Sequence, residues 1–257
     1  MIIKKPFACE TCGTERSFKF NTNTNKVYLY KALCQKCTLT LRNKTQNFAP
    51  RKHKIVDPFE TIDTQEKAYI FGFLWADGCL NIKPRKNKTS LKSLSMILHP
   101  KDKEVIEFII KHFGGSYTES TYFDKRTNKD YDRITWQLNS FEVYDNFKAL
   151  NFREDSSAIP DHLFPHFLRG VIDGDGCFYT RDTRLEMFIT SSYSQDWSYI
   201  TDRIQFPYNI KLSDYGNQKS SVLYFLGDKK LILDYIYKDS SFSLQRKKNK
   251  IIDILNV

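Results

Sequence analysis

Asp77 and Asp175 stand 98 positions apart in matching surroundings. The first closes Ile70-Phe71-Gly72-Phe73-Leu74-Trp75-Ala76-Asp77-Gly78, and the second closes Leu168-Arg169-Gly170-Val171-Ile172-Asp173-Gly174-Asp175-Gly176. Both stretches carry small residues at i and i+4, Gly72 with Ala76 and Gly170 with Gly174, and both continue into Cys and an apolar residue. Small residues at that spacing flatten one face of a helix, so a partner helix can approach with backbones nearly touching. Packed through these faces, the two helices would end side by side with their aspartates together. That placement is electrostatically unfavourable. A carboxylate at a helix C-terminus faces the negative end of the dipole, at a typical cost of about 0.3–1 kcal/mol. Two carboxylates sharing one site also repel, which keeps one of them protonated. A divalent cation relieves both problems, and Mg2+ (or Mn2+) favours carboxylates combined with water and phosphate oxygens. The chemistry such a pair suits is metal-assisted hydrolysis of a phosphodiester. A single Asp-Gly is an ordinary helix end; its recurrence with the same upstream spacing is what points to a site. An EF-hand is excluded, because Val171 stands where that loop needs an acid or Asn.

A second set of chemistry-bearing residues lies near the N-terminus. Cys9, Cys12, Cys34 and Cys37 form two C-x2-C pairs. In a chain without a secretion signal, that spacing is expected to place four thiolates around one Zn2+, each pair presenting both sulfurs to the metal. A disulfide pairing is the rival and would need an oxidising compartment. Cys79 and Cys177, each following an Asp-Gly, are expected to be small buried hydrophobes.

The elements that must position these groups follow from composition and periodicity. The chain has 257 residues and a net charge of +10. Residues 1–57 hold twelve Lys/Arg and three acids, so +9 of that charge sits in the N-terminal part, as expected of a module gripping a polyanion. No apolar run is long enough to span a bilayer, and the first residues lack a signal-peptide core, so an intracellular protein without a membrane partner is expected. Residues 1–45 read as a zinc ribbon or treble-clef module, with a hairpin from Arg16–Phe20 and Lys26–Tyr30. Residues 46–61 read as a basic linker, and 62–157 and 158–257 as the two repeats. In the first repeat, Asp63 or Thr64 caps a helix through Ala68–Asp77. Strands follow over 79–98, then a helix at 102–113 stopped by Gly114-Gly115, strands over 116–139 and a helix at 141–149. The second repeat runs in the same order: a helix ending at Asp175, strands over 177–190, a helix near 194–204, strands near 209–227 and helices after Lys229. Each unit is therefore αββαββα, an α+β arrangement whose sheet has helices on one face only. Alternation along Arg133–Asn139 turns Ile134, Trp136 and Leu138 toward the helices. Arg133, Thr135, Gln137 and Asn139 turn outward, side chains suited to base edges and phosphates.

The two repeated segments resemble the motifs of the LAGLIDADG homing endonucleases in their monomeric, two-repeat form, over about residues 62–257. The second motif matches closely. In the first, Trp75 occupies the position of the motif's first Asp, while Asp77 matches its metal-binding acid. The resemblance implies a saddle of two sheets over a long, asymmetric double-stranded DNA site. Each aspartate would bind divalent metal near one scissile phosphate, and the product would be a double-strand break with short 3′ overhangs. It also implies a basic or polar residue near each acid that organises water, with Gln137, Asn139, Lys229 and Lys230 as candidates. Lys83, Arg85, Lys86 and Lys88 at one hairpin tip, and Arg181 and Arg184 at its counterpart, would contact DNA. The rival readings are an RNA-splicing maturase or DNA-binding regulator that keeps the saddle without cutting, and an endonuclease domain within an intein. Retention of both aspartates argues against the first. The absence of a splicing nucleophile at Met1, and of a His-Asn pair near Val257, argues against the second.

Overall fold

Thr64 opens the first long helix: its side chain accepts a hydrogen bond from the backbone N–H of Lys67 at 3.2 Å, satisfying one of the unpaired donors of the first turn. This helix, α1, runs Gln65–Asp77 and stops where Gly78 turns extended. Eight consecutive residues, Ala68 to Trp75, are buried, so α1 has no polar face and belongs to the centre of the molecule. The computed structural model describes residues 6–8, 15–17, 54–85, 88–181, 184–215 and 218–255. These fall in two compact units, Met1–Lys52 and His53–Val257.

In the first unit, β1 (Pro6–Ala8) pairs antiparallel with β2 (Glu15–Ser17). The expected zinc ligands Cys9, Cys12, Cys34 and Cys37 lie outside the described residues.

The second unit holds both repeats. After α1 come β3 (Gly78–Arg85), β4 (Lys88–Leu98), α2 (Lys103–His112), β5 (Ser116–Asp124), β6 (Lys129–Asn139) and α3 (Phe141–Ala149). The second repeat has α4 (Phe164–Asp175), β7 (Gly176–Arg181), β8 (Arg184–Ser192), α5 (Ser198–Thr201), β9 (Tyr208–Tyr215), β10 (Gln218–Phe225) and α6 (Lys229–Tyr237). It closes with α7 (Gln245–Leu255). The two four-stranded antiparallel sheets have the same order, β3-β4-β6-β5 and β7-β8-β10-β9. The αββαββα repeat expected from the sequence is therefore the observed architecture. Gly114 and Gly115 stop α2 as expected, with φ of 108° and 92° that a side chain rarely adopts.

Two expectations need correction. The helix near 194–204 shrinks to the single turn Ser198–Thr201. The Asp196 carboxylate accepts from Ser198 N–H and delays the start, while Arg203 is drawn away to the carbonyls of Ser156 and Ile159. Cys79 is exposed and Cys177 partly so, rather than buried. Gly78 and Gly176 occupy the inward positions of their strands, so alternation turns the following cysteine to the open face.

The core lies where the inner sheet faces meet the helices. Leu94, Met96, Ile134, Trp136 and Leu138 face inward from one sheet, and Phe178, Met187, Ile189, Leu223 and Phe225 from the other. Each repeat also straps onto its neighbour. Ser156 Oγ donates to the Tyr199 carbonyl at 2.8 Å, and Arg203 Nη1 donates to the Ser156 carbonyl. From the other side, Phe242 stacks on Phe108 with ring centroids 4.0 Å apart, and the N–H of Gln245 donates to Glu104 at 2.8 Å.

Candidate active site

The seam between α1 and α4 is closed by backbone contact. A Cβ on Gly72 would lie 2.0 Å from the Phe167 carbonyl oxygen, and one on Gly170 would lie 2.2 Å from that of Tyr69. A Cβ on Gly174 would meet Ala76 Cβ at 2.4 Å and Asp77 Oδ2 at 3.2 Å. The four small residues therefore form the interface that their spacing predicts. Their packing leaves the helix ends, and both aspartates, at one place.

The electrostatics follow. Burial pushes the Asp77 carboxyl up to about 6, and the negative charge of Asp175 pushes in the same direction. Asp175 is more open to solvent, yet the protein packed around it still raises its carboxyl above the ordinary range. Beside them is a cavity of about 280 Å3 lined by Asp175, Arg153, Gln195, Ser191, Ser192 and Tyr199 among others.

Two cations missed by the sequence reading occupy the helix ends. Arg153 Nε donates to Trp75 O at 2.7 Å, and its Nη2 donates to Ala76 O at 2.6 Å. Lys247 Nζ donates to Ile172 O, Gly174 O and Gly176 O at 2.8, 2.9 and 2.6 Å. The charges of both favour the ionised form of both aspartates. Burial holds the Lys247 ammonium down to about 8. The motif's other acid, Asp173, is fully buried and accepts from Tyr69 Oη at 3.0 Å, Leu244 N at 2.7 Å and Tyr237 Oη at 3.3 Å. It thereby ties down the turn entering α7, which carries Lys247. Trp75, the residue in its place on α1, instead packs its ring against Tyr199 at 4.9 Å.

The outer sheet faces carry the remaining expected site residues. On β6, Ile134, Trp136 and Leu138 are fully buried, while Arg133, Thr135, Gln137 and Asn139 lie on the opposite face. Register aligns Cys79, Ser95, Gln137 and Ser116 in one row across that face, two residues beyond Asp77. Gln137 Nε2 donates to Asn139 Oδ1 at 2.8 Å. The corresponding row of the second sheet is Cys177, Phe188, Tyr224 and Asn209. Tyr224 thus stands where the first sheet has Gln137. Tyr179, Phe188 and Tyr224 form an aromatic ladder with centroid spacings of 5.7 and 5.4 Å, flanked by Arg181 and Lys211. Among the candidate water-organising residues, Lys229 bonds the Gly227 carbonyl at the start of α6, and Lys230 is exposed on the first turn of that helix. At the hairpin tips, Arg85 pairs with Lys88 past a register shift between Lys83 and Arg85, and Arg181 pairs with Arg184 in unbroken register. Lys83, Arg181 and Arg184 are exposed, and Lys86 lies outside the described residues.

The donor set fits a hard divalent cation. Among the described residues there is no group of three or more His, Cys, Asp or Glu side chains placed to enclose an ion. Two adjacent carboxylates with raised pKa values offer a partial shell that waters and a phosphate would complete, the pattern Mg2+ favours. None of the helices among the described residues is long and apolar enough to cross a membrane.

No protein-family model and no curated protein matches the sequence. Solved structures do match the fold. The homing endonuclease I-DmoI in complex with DNA and Ca aligns with a TM-score of 0.52 at 12% identity, over 77% of this chain and 100% of that one. Mesophilic variants of I-DmoI align with a TM-score of 0.51 at 13% identity, covering 72% and 99% of the two chains. At those identities the likeness is one of fold.

Proposed function

We propose that this chain is a two-repeat LAGLIDADG homing endonuclease, a site-specific nuclease that hydrolyses both strands of a DNA duplex. The observation that carries this reading is the α1–α4 seam. It brings two aspartates to one point through glycines that tolerate no side chain. The likeness of fold to I-DmoI, which was solved bound to DNA, supports it.

On this reading the carboxylates of Asp77 and Asp175 hold Mg2+ or Mn2+, which when bound supplies a water made nucleophilic at neutral pH and stabilises the leaving oxygen. The protein's own part is placement. The seam fixes the separation of the two carboxylates. The outer sheet faces, with Arg133, Thr135, Gln137 and Asn139 on one side and Arg181, Arg184 and Lys211 on the other, bind the duplex and set which phosphates reach the acids. Lys83, Arg85, Lys86 and Lys88 extend that contact along the backbone. Gln137 on the first repeat, and Gln195 with Ser192 beside Asp175, supply polar groups for ordered water near the acids. Both repeats lie in one chain, so a monomer reads the site, and its two unlike faces require an asymmetric target. The N-terminal Cys9, Cys12, Cys34 and Cys37 bind Zn2+ and lengthen the footprint with their +9 segment.

Cleavage of a randomised duplex library in Mg2+ tests the reading, with Asp77→Asn and Asp175→Asn alongside the wild type. Wild-type cutting at a defined sequence, lost in both variants, is the expected result. Variants that cut like the wild type would place the chemistry elsewhere.

A further inference from the structure

The helix-end cations are arranged more specifically than a charge-neutralising role requires. Arg153 and Lys247 form their hydrogen bonds at this site with backbone carbonyls, leaving the carboxylate oxygens of Asp77 and Asp175 for other partners. Lys247 takes one carbonyl before Asp175 and one after it, Gly174 O and Gly176 O, so the backbone carrying that aspartate is pinned on both flanks. Lys247 is only 7% exposed, and the three donors of its ammonium have three acceptors. Arg153 takes the two carbonyls immediately before Asp77. Its own backbone stands at φ 64°, a left-handed conformation that disfavours a side chain and persists only when surrounding contacts hold it. Both cations lie C-terminal to the sheet of their own repeat. Arg153 comes from the turn after α3 and Lys247 from the first turn of α7, and each returns to the end of its own repeat's motif helix. Asp173 holds the Lys247 side of the device in place through Leu244 N.

We propose that Lys247 and Arg153 are paired positioning residues, each locking the backbone of one aspartate, Asp175 and Asp77 respectively, for cleavage of one DNA strand. The inference rests on the nuclease reading above and adds to it an assignment of one lock to each strand.

The test uses the full chain and a supercoiled plasmid carrying the target selected by the wild type. Lys247→Met is expected to bind that target in Ca2+ within about twofold of the wild type. Its single-turnover rate on one strand should fall about 100-fold, as a displacement of about 1 Å at a reacting group costs, with a much smaller fall on the other strand, so that nicked circles accumulate. Arg153→Met should accumulate nicks in the opposite strand. Equal slowing of both strands, or nicks in the same strand from both variants, would overturn the proposal and leave ordinary helix caps. If Lys247→Met does not fold, Lys247→Arg carries the same test, since a planar guanidinium cannot aim at three carbonyls as an ammonium does; it should show the same strand bias, and loss on both strands alike counts against the lock. Amide hydrogen exchange on the DNA-free protein gives a readout independent of cleavage. Faster exchange confined to 174–177 in Lys247→Met, and to 76–79 in Arg153→Met, supports two separate locks. Exchange that rises throughout both helices refutes them. A wild type that cuts no DNA would sink the nuclease reading while leaving the exchange result to stand.

Discussion

At Asp77 the carboxyl is held near pKa 6 against an ordinary value of 3.8, chiefly by burial. A raised folded-state value means that the native protein binds more protons than the unfolded chain between those two pH values. The stability of the metal-free protein should therefore fall as pH rises from about 4 through about 6, and stay low above that range. Asp77→Asn removes the cost. In chelator at pH 7 that variant should resist urea better than the wild type by about 2 kcal/mol, with the gain vanishing at pH 4. A variant less stable than the wild type at pH 7 would show that Asp77 is held by favourable contacts instead. On the proposed function, activity should move oppositely, since the protonated carboxyl is a poor metal ligand, and cleavage should fall off below about pH 6. Both acids were legible as residues because each stands at a repeated local pattern. Arg153 and Lys247 were not, since they reach carbonyls more than 70 positions away and carry no local signature.

At the scale of elements, the seam is the feature least tolerant of change. Gly170→Ala puts a methyl 2.2 Å from a backbone oxygen that cannot move aside, so chemical denaturation should show a loss of about 1–3 kcal/mol or more. Gly174→Ala differs, because the atom in its way is the Cβ of Ala76 at 2.4 Å. Combining it with Ala76→Gly should recover most of the stability lost, and a double-mutant cycle measures that coupling; additive losses would argue against direct contact. The seam itself was readable from spacing alone. Strand faces were readable from alternation on β6, whereas the pairing of Gln137 with Ser95, and of Tyr224 with Phe188, required the register. The single-turn α5 shows the limit of periodicity: side chains competing for its ends overrode the local preference.

Across the whole molecule, the two sheet faces are chemically unlike. Beside its aspartate the first offers hydrogen-bonding side chains, its Tyr122–Tyr131 stack lying farther out next to Arg133, and the second an aromatic ladder between Arg181 and Lys211. Apolar side chains read the thymine methyl, while amides and hydroxyls read base-edge donors and acceptors. On the proposed function, replacing thymine by uracil in the half-site under the second repeat should weaken binding. The same replacement under the first repeat should matter less, and equal sensitivity of both halves would contradict a division of labour between the faces. On the proposed function, the N-terminal segment binds Zn2+ and makes a separate contribution. Removing zinc with a chelator, or changing Cys34 to Ser, should lower DNA affinity and flatten its salt dependence while the unfolding transition of residues 53–257 stays cooperative.

The sequence by itself determined the duplication, the capped start of α1, the glycine stops of α1, α2 and α4, the smooth faces of the motif helices, and the carboxylates at their ends. These are written in spacings of a few residues, where covalent geometry and helical or strand periodicity leave little choice. Only the tertiary structure decided which side chains answer the charge of those carboxylates, that Cys79 and Cys177 face outward, and that one sheet presents amides where the other presents rings. Each of those depends on segments far apart in sequence meeting in one register, and a long-range contact leaves no periodic trace in the chain that makes it.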